Sequence, residues 1–175
     1  MDSPNFKDGK FQNLTYTPDL NEKYNYWDLI AENFKGHKNK KPSITIPSIK
    51  TNLFNLNLAQ NQIIWFGHSS YLLIFEGKKI LVDPVFSGFA APFSFMLKAF
   101  KGANVYFPDD FPEIDLLIIT HDHYDHLDFN TITKLKPKIK QIVTSLGVGE
   151  HLERWGFDPK KIVELDWDEN FQMPE

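Results

Sequence analysis

The residues with the most chemistry in them lie in one run, Thr120-His121-Asp122-His123-Tyr124-Asp125-His126-Leu127-Asp128. Written by spacing it is His-x-His-x-Asp-His, and it gathers three of the chain's six histidines. In an extended or turning loop, residues two apart point the same way, so His121 and His123 can grip one ion between them. Asp125 and His126 fall on the following turn and project to a second point nearby, a carboxylate and imidazole pair for a second ion. Imidazole and carboxylate without thiolate suit zinc, manganese or iron. The chain has no cysteine, which excludes disulfide scaffolds, thiolate metal sites and cysteine nucleophiles. Isolated histidines carry no such weight, and His37 and His151 read as ordinary polar residues.

Such a cluster needs rigid elements on either side. Leu116-Leu117-Ile118-Ile119 is a continuous apolar run, as in a strand buried on both faces. The cluster therefore follows the carboxyl end of a strand, where open α/β sheets place their sites. Asp128 can cap a helix over Phe129 to Leu135, stopped by Pro137. Residues 141–144 read as a strand, Val148 to Trp155 as a helix ended by Gly156, and 161–165 as a strand. Upstream, Ile63 to Phe66 and Tyr71 to Phe75 have strand length, and the turn Glu76-Gly77-Lys78 predicts a hairpin over 71–82. Pro84 ends it, having no N–H for a ladder. Strand and helix alternate, which means an α/β layer. The expectation is a mixed β-sheet from residues 62–83, 115–119, 141–144 and 161–165, with helices on one face. The opposite face should be apolar and in need of cover.

The chain has 175 residues, 42% of them hydrophobic, with 16 Phe, 6 Tyr and 4 Trp. That is ample surface to bury, and it excludes disorder of the whole chain. A net charge of -4 argues against a duplex nucleic-acid partner. Residues 1–58 differ in texture, rich in Asn, Pro, Lys and Tyr, and read as an extension with one helix over 24–34. The basic stretch Lys35 to Lys41 reads as a solvated linker, with an anionic-partner patch as the other reading. Residues 86–112 form a long connection holding Gly88, Pro92, Gly102, Pro108 and Pro112, with a short helix near Phe93 to Phe100. No apolar run approaches the ~20 residues of a membrane span, and the polar amino terminus is no signal peptide. A cytoplasmic protein is expected, with peripheral membrane contact left open.

His121-x-His123-x-Asp125-His126 after a hydrophobic strand resembles the signature of the metallo-β-lactamase fold superfamily. Trp65-Phe66-Gly67-His68-Ser69-Ser70-Tyr71-Leu72-Leu73, Leu81-Val82-Asp83-Pro84-Val85-Phe86-Ser87 and Leu165-Asp166-Trp167 narrow the likeness. They resemble the branch of the N-acylphosphatidylethanolamine-hydrolysing phospholipase D and its bacterial relatives. The resemblance covers about residues 60 to 170 and implies an αββα sandwich around two zinc ions, with manganese or iron as alternatives. It makes His121 and His123 ligands of the first ion, and Asp125 and His126 ligands of the second. Asp125 would also orient the attacking water. His68 would lie at the mouth of the site as a catalytic group, or else hydrogen-bond within its own loop. Asp83 would be a carboxylate behind a ligand histidine, orienting it, or else a plain strand terminator. The aromatics from Phe86 to Phe107 would form a hydrophobic substrate wall, or else pack in the core.

Family members complete the site with a further histidine, a bridging aspartate and a last histidine after the Leu-Asp-Trp block. Here that block is followed only by residues 168–175. The expectation is therefore the amino-terminal half of the sandwich, residues 59–175, which self-associates or takes a complementary carboxyl-terminal half. The function expected is a metal-dependent hydrolase, poorly active by itself. Its substrate would be a small molecule or lipid, a phosphodiester such as an N-acylphosphatidylethanolamine-like phospholipid. Paired ions make hydroxide available at neutral pH and polarise a phosphoryl oxygen. The alternatives are hydrolysis of a lactone, cyclic phosphate or amide, and a non-catalytic half-domain that binds a partner.

Overall fold

The amino-terminal unit of the computed structural model, Met1–Lys41, holds two short strands, β1 (Phe6–Lys7) and β2 (Lys10–Phe11), and a helix, α1 (Tyr26–Phe34). The structure describes residues 3–18, 23, 25–35, 41–90 and 98–173. Asp8 and Gly9 turn the ribbon with φ of 54° and 75°, the left-handed pair that a two-residue hairpin requires. Asn25 caps α1 by accepting the Trp27 and Asp28 N–H groups, and Asp28 accepts the Asn25 N–H in return at 3.0 Å. Residues 36–40 of the basic stretch lie outside the described residues.

The second unit, Pro42–Glu175, is built on six strands: β3 (Gln62–Gly67), β4 (Ser70–Phe75), β5 (Lys78–Val82), β6 (Ile114–Ile119), β7 (Ile139–Ser145) and β8 (Ile162–Leu165). They form a mixed sheet in sequence order, antiparallel from β3 to β5 and parallel from β5 to β8. The expected sheet is thus observed. One registered row, Ile64–Leu72–Leu81–Leu117–Ile142–Ile162, crosses all six strands. Its middle members are buried among Ile132, Leu135 and Leu152, which belong to helices α2 (Phe129–Leu135) and α3 (Gly149–Arg154). Asp128 caps α2 through the Asn130 N–H. Pro137 converts the end of α2 into a 3-10 turn, Lys136–Lys138.

The adjacent rows define the other face: Ile63–Leu73–Ile80–Leu116–Gln141 and Trp65–Tyr71–Val82–Ile118–Val143–Val163. This face is apolar, and Ile63 and Trp65 on it remain 67% and 69% exposed. Among the described residues, no second sheet layer packs there.

Two stretches outside the sheet are placed by the structure. The sheet-bearing unit takes in residues 42–58, which composition groups with the extension. Leu53 is buried, Thr51 donates its N–H to the Tyr106 hydroxyl at 2.7 Å, and Ile46 donates to the Lys101 carbonyl at 2.9 Å. Gly102 is required at that crossing, because a Cβ there would run into the Ile46 carbonyl. The aromatics of the long connection also divide. Phe86 and Tyr106 are buried around Phe66 and Phe111 as core, whereas Phe100 and Phe107 are exposed. Residues 91–97, most of the helix expected near Phe93, lie outside the described residues.

Asp115 ties the start of β6 to its neighbours, accepting the Lys79 N–H and the Lys140 ammonium, each at 2.8 Å. Burial pushes its carboxyl up, but the bonds and charges of Lys140 and Lys79 outweigh this and hold it below its ordinary value. Its contribution to stability is therefore complete above about pH 4, where an unfolded Asp is ionised. It is lost as the pH falls through the lower folded value. Urea unfolding at pH 7 and pH 3 should show Asp115→Asn weaker by on the order of 1–2 kcal/mol at pH 7. The difference should be smaller at pH 3, which lies below the unfolded value, and should go on shrinking as the pH falls through the folded one.

Candidate metal centre

Parallel pairing of β5 and β6 brings their carboxyl ends together, with Val82 opposite Ile118. The next residues, Asp83 and Thr120, therefore meet. The Asp83 carboxylate is buried and accepts the Thr120 N–H at 2.8 Å, the Thr120 hydroxyl at 2.7 Å and His126 Nδ1 at 2.8 Å. Its backbone turns sharply, with φ of 41°, a conformation that Asp tolerates better than most residues. Ser70 stitches this turn, donating its hydroxyl to the Asp83 carbonyl at 2.6 Å and accepting the Val85 N–H at 3.2 Å. A carboxylate only accepts, so the His126 proton facing it sits on Nδ1, and the Nε2 lone pair is left to take a metal ion.

The loop from Thr120 to Asp128 is held at both ends. Thr120 Oγ1 lies 3.0 Å from His121 Nδ1, and His121 Nε2 lies 3.2 Å from His123 Nδ1. His126 and Leu127 donate their N–H groups to the His123 carbonyl, forming one tight turn, and Leu127 is buried beneath it. Asp128 closes the far end. Besides capping α2, its carboxylate accepts the Phe86 and Ser87 N–H groups and the Thr131 hydroxyl.

His68 reaches the same cluster from the β3–β4 turn. Its Nε2 lies 3.0 Å from Asp125 Oδ2, and Asp125 Oδ2 lies 3.8 Å from His126 Nε2. The structure thus brings His121, His123, Asp125, His126, His68 and Asp83 to one end of the sheet. Burial lowers the His121 imidazole from its ordinary value, and neighbouring His126 and His123 lower it further against the pull of Asp83 and Asp125. A neutral imidazole is the form that ligates metal. Burial raises Asp125, but its own backbone N–H together with His126 and His68 wins, and the net shift is downward. These donors suit a divalent ion. Two donors on one tetrahedral ion with bonds of about 2.1 Å stand about 3.4 Å apart, and the separations here are 3.2, 3.0 and 3.8 Å.

Sequence reasoning passed over Thr120 and Ser69, whose hydroxyl lies 3.1 Å from His126 Nδ1. The available signal was adjacency, a hydroxyl next to His121 and another next to His68. His151, read as an ordinary helical histidine, is half-buried with Nε2 3.9 Å from Asp122 Oδ2 at the edge of the cluster.

Residues 78–175 match the family described as the β-lactamase superfamily domain. A Mycobacterium tuberculosis protein described as uncharacterized is 35% identical over 184 residues, covering 99% of this chain and 47% of that protein. The N-acyl-phosphatidylethanolamine-hydrolyzing phospholipase D 1 of Caenorhabditis elegans is 34% identical over 120 residues, 62% of this chain and 32% of its own. A metal-dependent hydrolase of Saccharolobus solfataricus is 35% identical over 85 residues, 47% of this chain and 32% of its own. Among solved structures, CmlA, a diiron beta-hydroxylase from Streptomyces venezuelae, aligns with 66% of this chain and 22% of its own at a TM-score of 0.52 and 27% identity. The chain thus spans half or less of the length of the relatives it matches. No described helix is long and apolar enough to cross a membrane.

Proposed function

The chain belongs to the metallo-β-lactamase superfamily, and from that premise we propose that it carries half of a binuclear metal-dependent phosphodiesterase site. The observation that carries the reading is the Asp83–His126 hydrogen bond, which leaves His126 Nε2 free beside Asp125. His121 and His123 would hold one ion, and Asp125 and His126 the other. Bound zinc, manganese or iron would supply Lewis acidity and an activated water. Asp125 would accept a hydrogen bond from a water held there and orient it, while Asp83 and Thr120 hold the imidazoles of His126 and His121 from behind. A lipid-derived phosphodiester is the substrate class, supported by the name of the Caenorhabditis elegans relative. The basis for excluding nucleic acid is the chain's acidic balance.

The apolar sheet face that exposes Ile63 and Trp65 takes a complementary half-domain, which would supply the remaining ligands. Support comes from the relatives, which match along only 47% or less of their length. The test is hydrolysis of bis-p-nitrophenyl phosphate with added zinc, manganese or ferrous iron, by this chain alone and by the chain joined to a relative's unmatched half. Misplaced reacting groups can cost ~100-fold in rate, so turnover should rise by about that factor in the joined form and vanish with His121→Ala. Equal rates with and without His121 would overturn the assignment. Sedimentation as a stable dimer of this chain would replace the complementary half with a second copy.

A further inference from the structure

The β3–β4 connection is a two-residue turn, His68–Ser69, between paired Gly67 and Ser70. Such turns need a positive φ at the first position, where Gly, Asn and Asp sit with least strain. A histidine occupies it here, with φ of 47°. The hairpin itself gains nothing from an imidazole at that point. Trp65 secures the arrangement by donating its indole N–H to the His68 carbonyl at 3.0 Å, although its ring is on the exposed sheet face. The result is that Nε2 of His68 stands 3.0 Å from Asp125 Oδ2, with its ring edge-on to His126 at 5.2 Å. One donor atom each from His68, Asp125 and His126 all lie within 4.8 Å of one another.

We propose that His68 is the third protein donor, beside Asp125 and His126, to a single metal ion, and that the strained turn is retained because it aims the imidazole there. The proposal rests on the metal reading of the site. It goes further in making this cluster a three-donor site from two separate loops, when the His-x-His-x-Asp-His run alone offers that ion two.

The experiment is a cobalt(II) titration of the metal-free 175-residue chain. It is followed by visible absorption and by histidine ring resonances, in wild type, His68→Asn and His68→Gly. Both replacements suit the turn, so the metal-free variants should melt at or above the wild-type temperature. In wild type the His68 and His126 resonances should broaden in the same binding step. In both variants affinity for that ion should fall at least ~10-fold, with a change in the cobalt ligand-field band as one nitrogen is lost. Unchanged affinity in both variants, with His68 resonances untouched at saturation, overturns the assignment and leaves the metal reading standing. Cobalt that perturbs none of His121, His123 and His126 overturns the metal reading and this proposal with it. A lower melting temperature in both metal-free variants overturns the claim that the turn is strained for the sake of the ring.

Discussion

Asp83→Asn should leave a folded chain whose affinity for zinc has fallen by ~10–100-fold, the usual penalty for removing a group that orients a ligand histidine. In the native chain one carboxylate oxygen takes the Thr120 N–H, and the other takes the Thr120 hydroxyl and His126 Nδ1. An amide cannot serve both sides, since either rotamer sets its NH2 against a donor. If the amide NH2 faces His126, the imidazole proton moves to Nε2, the atom beside Asp125, and the lone pair that would take the metal is lost. Asp83→Ala is harsher, because it removes the acceptor of the Thr120 N–H and leaves the Thr120 hydroxyl and His126 Nδ1 to their contacts with His121 and Ser69. At about 1–3 kcal/mol for a group left without its partner, a stability loss of about that size is expected. Zinc calorimetry and nitrogen shifts of the His126 ring read the first effect, and urea unfolding reads the second. Wild-type zinc affinity in the Asn variant would mean that His126 is not a ligand through Nε2.

Phe111→Ala should destabilise the chain by about 3–5 kcal/mol, a large part of the roughly 5–15 kcal/mol that holds a domain together. Phe111 is fully buried, stacked on Phe86 at 5.1 Å and edge-on to Phe66 at 5.3 Å. The loss should also reach the metal centre. The Phe86 N–H bonds to Asp128 and Thr131, so a slack Phe86 loosens the cap at the end of the ligand loop. Phe100→Ala, at a position 45% exposed, should stay within about 0.5 kcal/mol. Denaturation of the pair tests the division of the aromatics directly. Similar losses at both positions would show that the connection is packed uniformly.

Local chemistry made much of this molecule legible in its sequence. The run of β6 announces itself because four consecutive apolar residues suit a strand covered on both sides. The Asp128 cap is readable because a helix start is satisfied within two or three residues. The spacing of His121, His123, Asp125 and His126 keeps all four within six consecutive residues of one loop. Residues 42–58 are mostly exposed, with Leu53 alone fully buried, so their place beside the sheet is not written in their hydropathy. What secures them is largely backbone hydrogen bonding, to Tyr106 and Lys101, and hydropathy does not register it. The aromatics of 86–107 could not be divided for a related reason, since burial of a Phe depends on what lies opposite it.

Only the tertiary structure decided which groups act on which. Asp83 and Thr120 are 37 residues apart and bond because β5 and β6 run parallel and end together. His68 and Asp125 are 57 residues apart and meet because the β3–β4 turn falls at the same edge of the sheet. A residue's type and its neighbours set what chemistry it can offer. Its partner across the sheet is set by strand order and register, which follow from burying the whole apolar row at once.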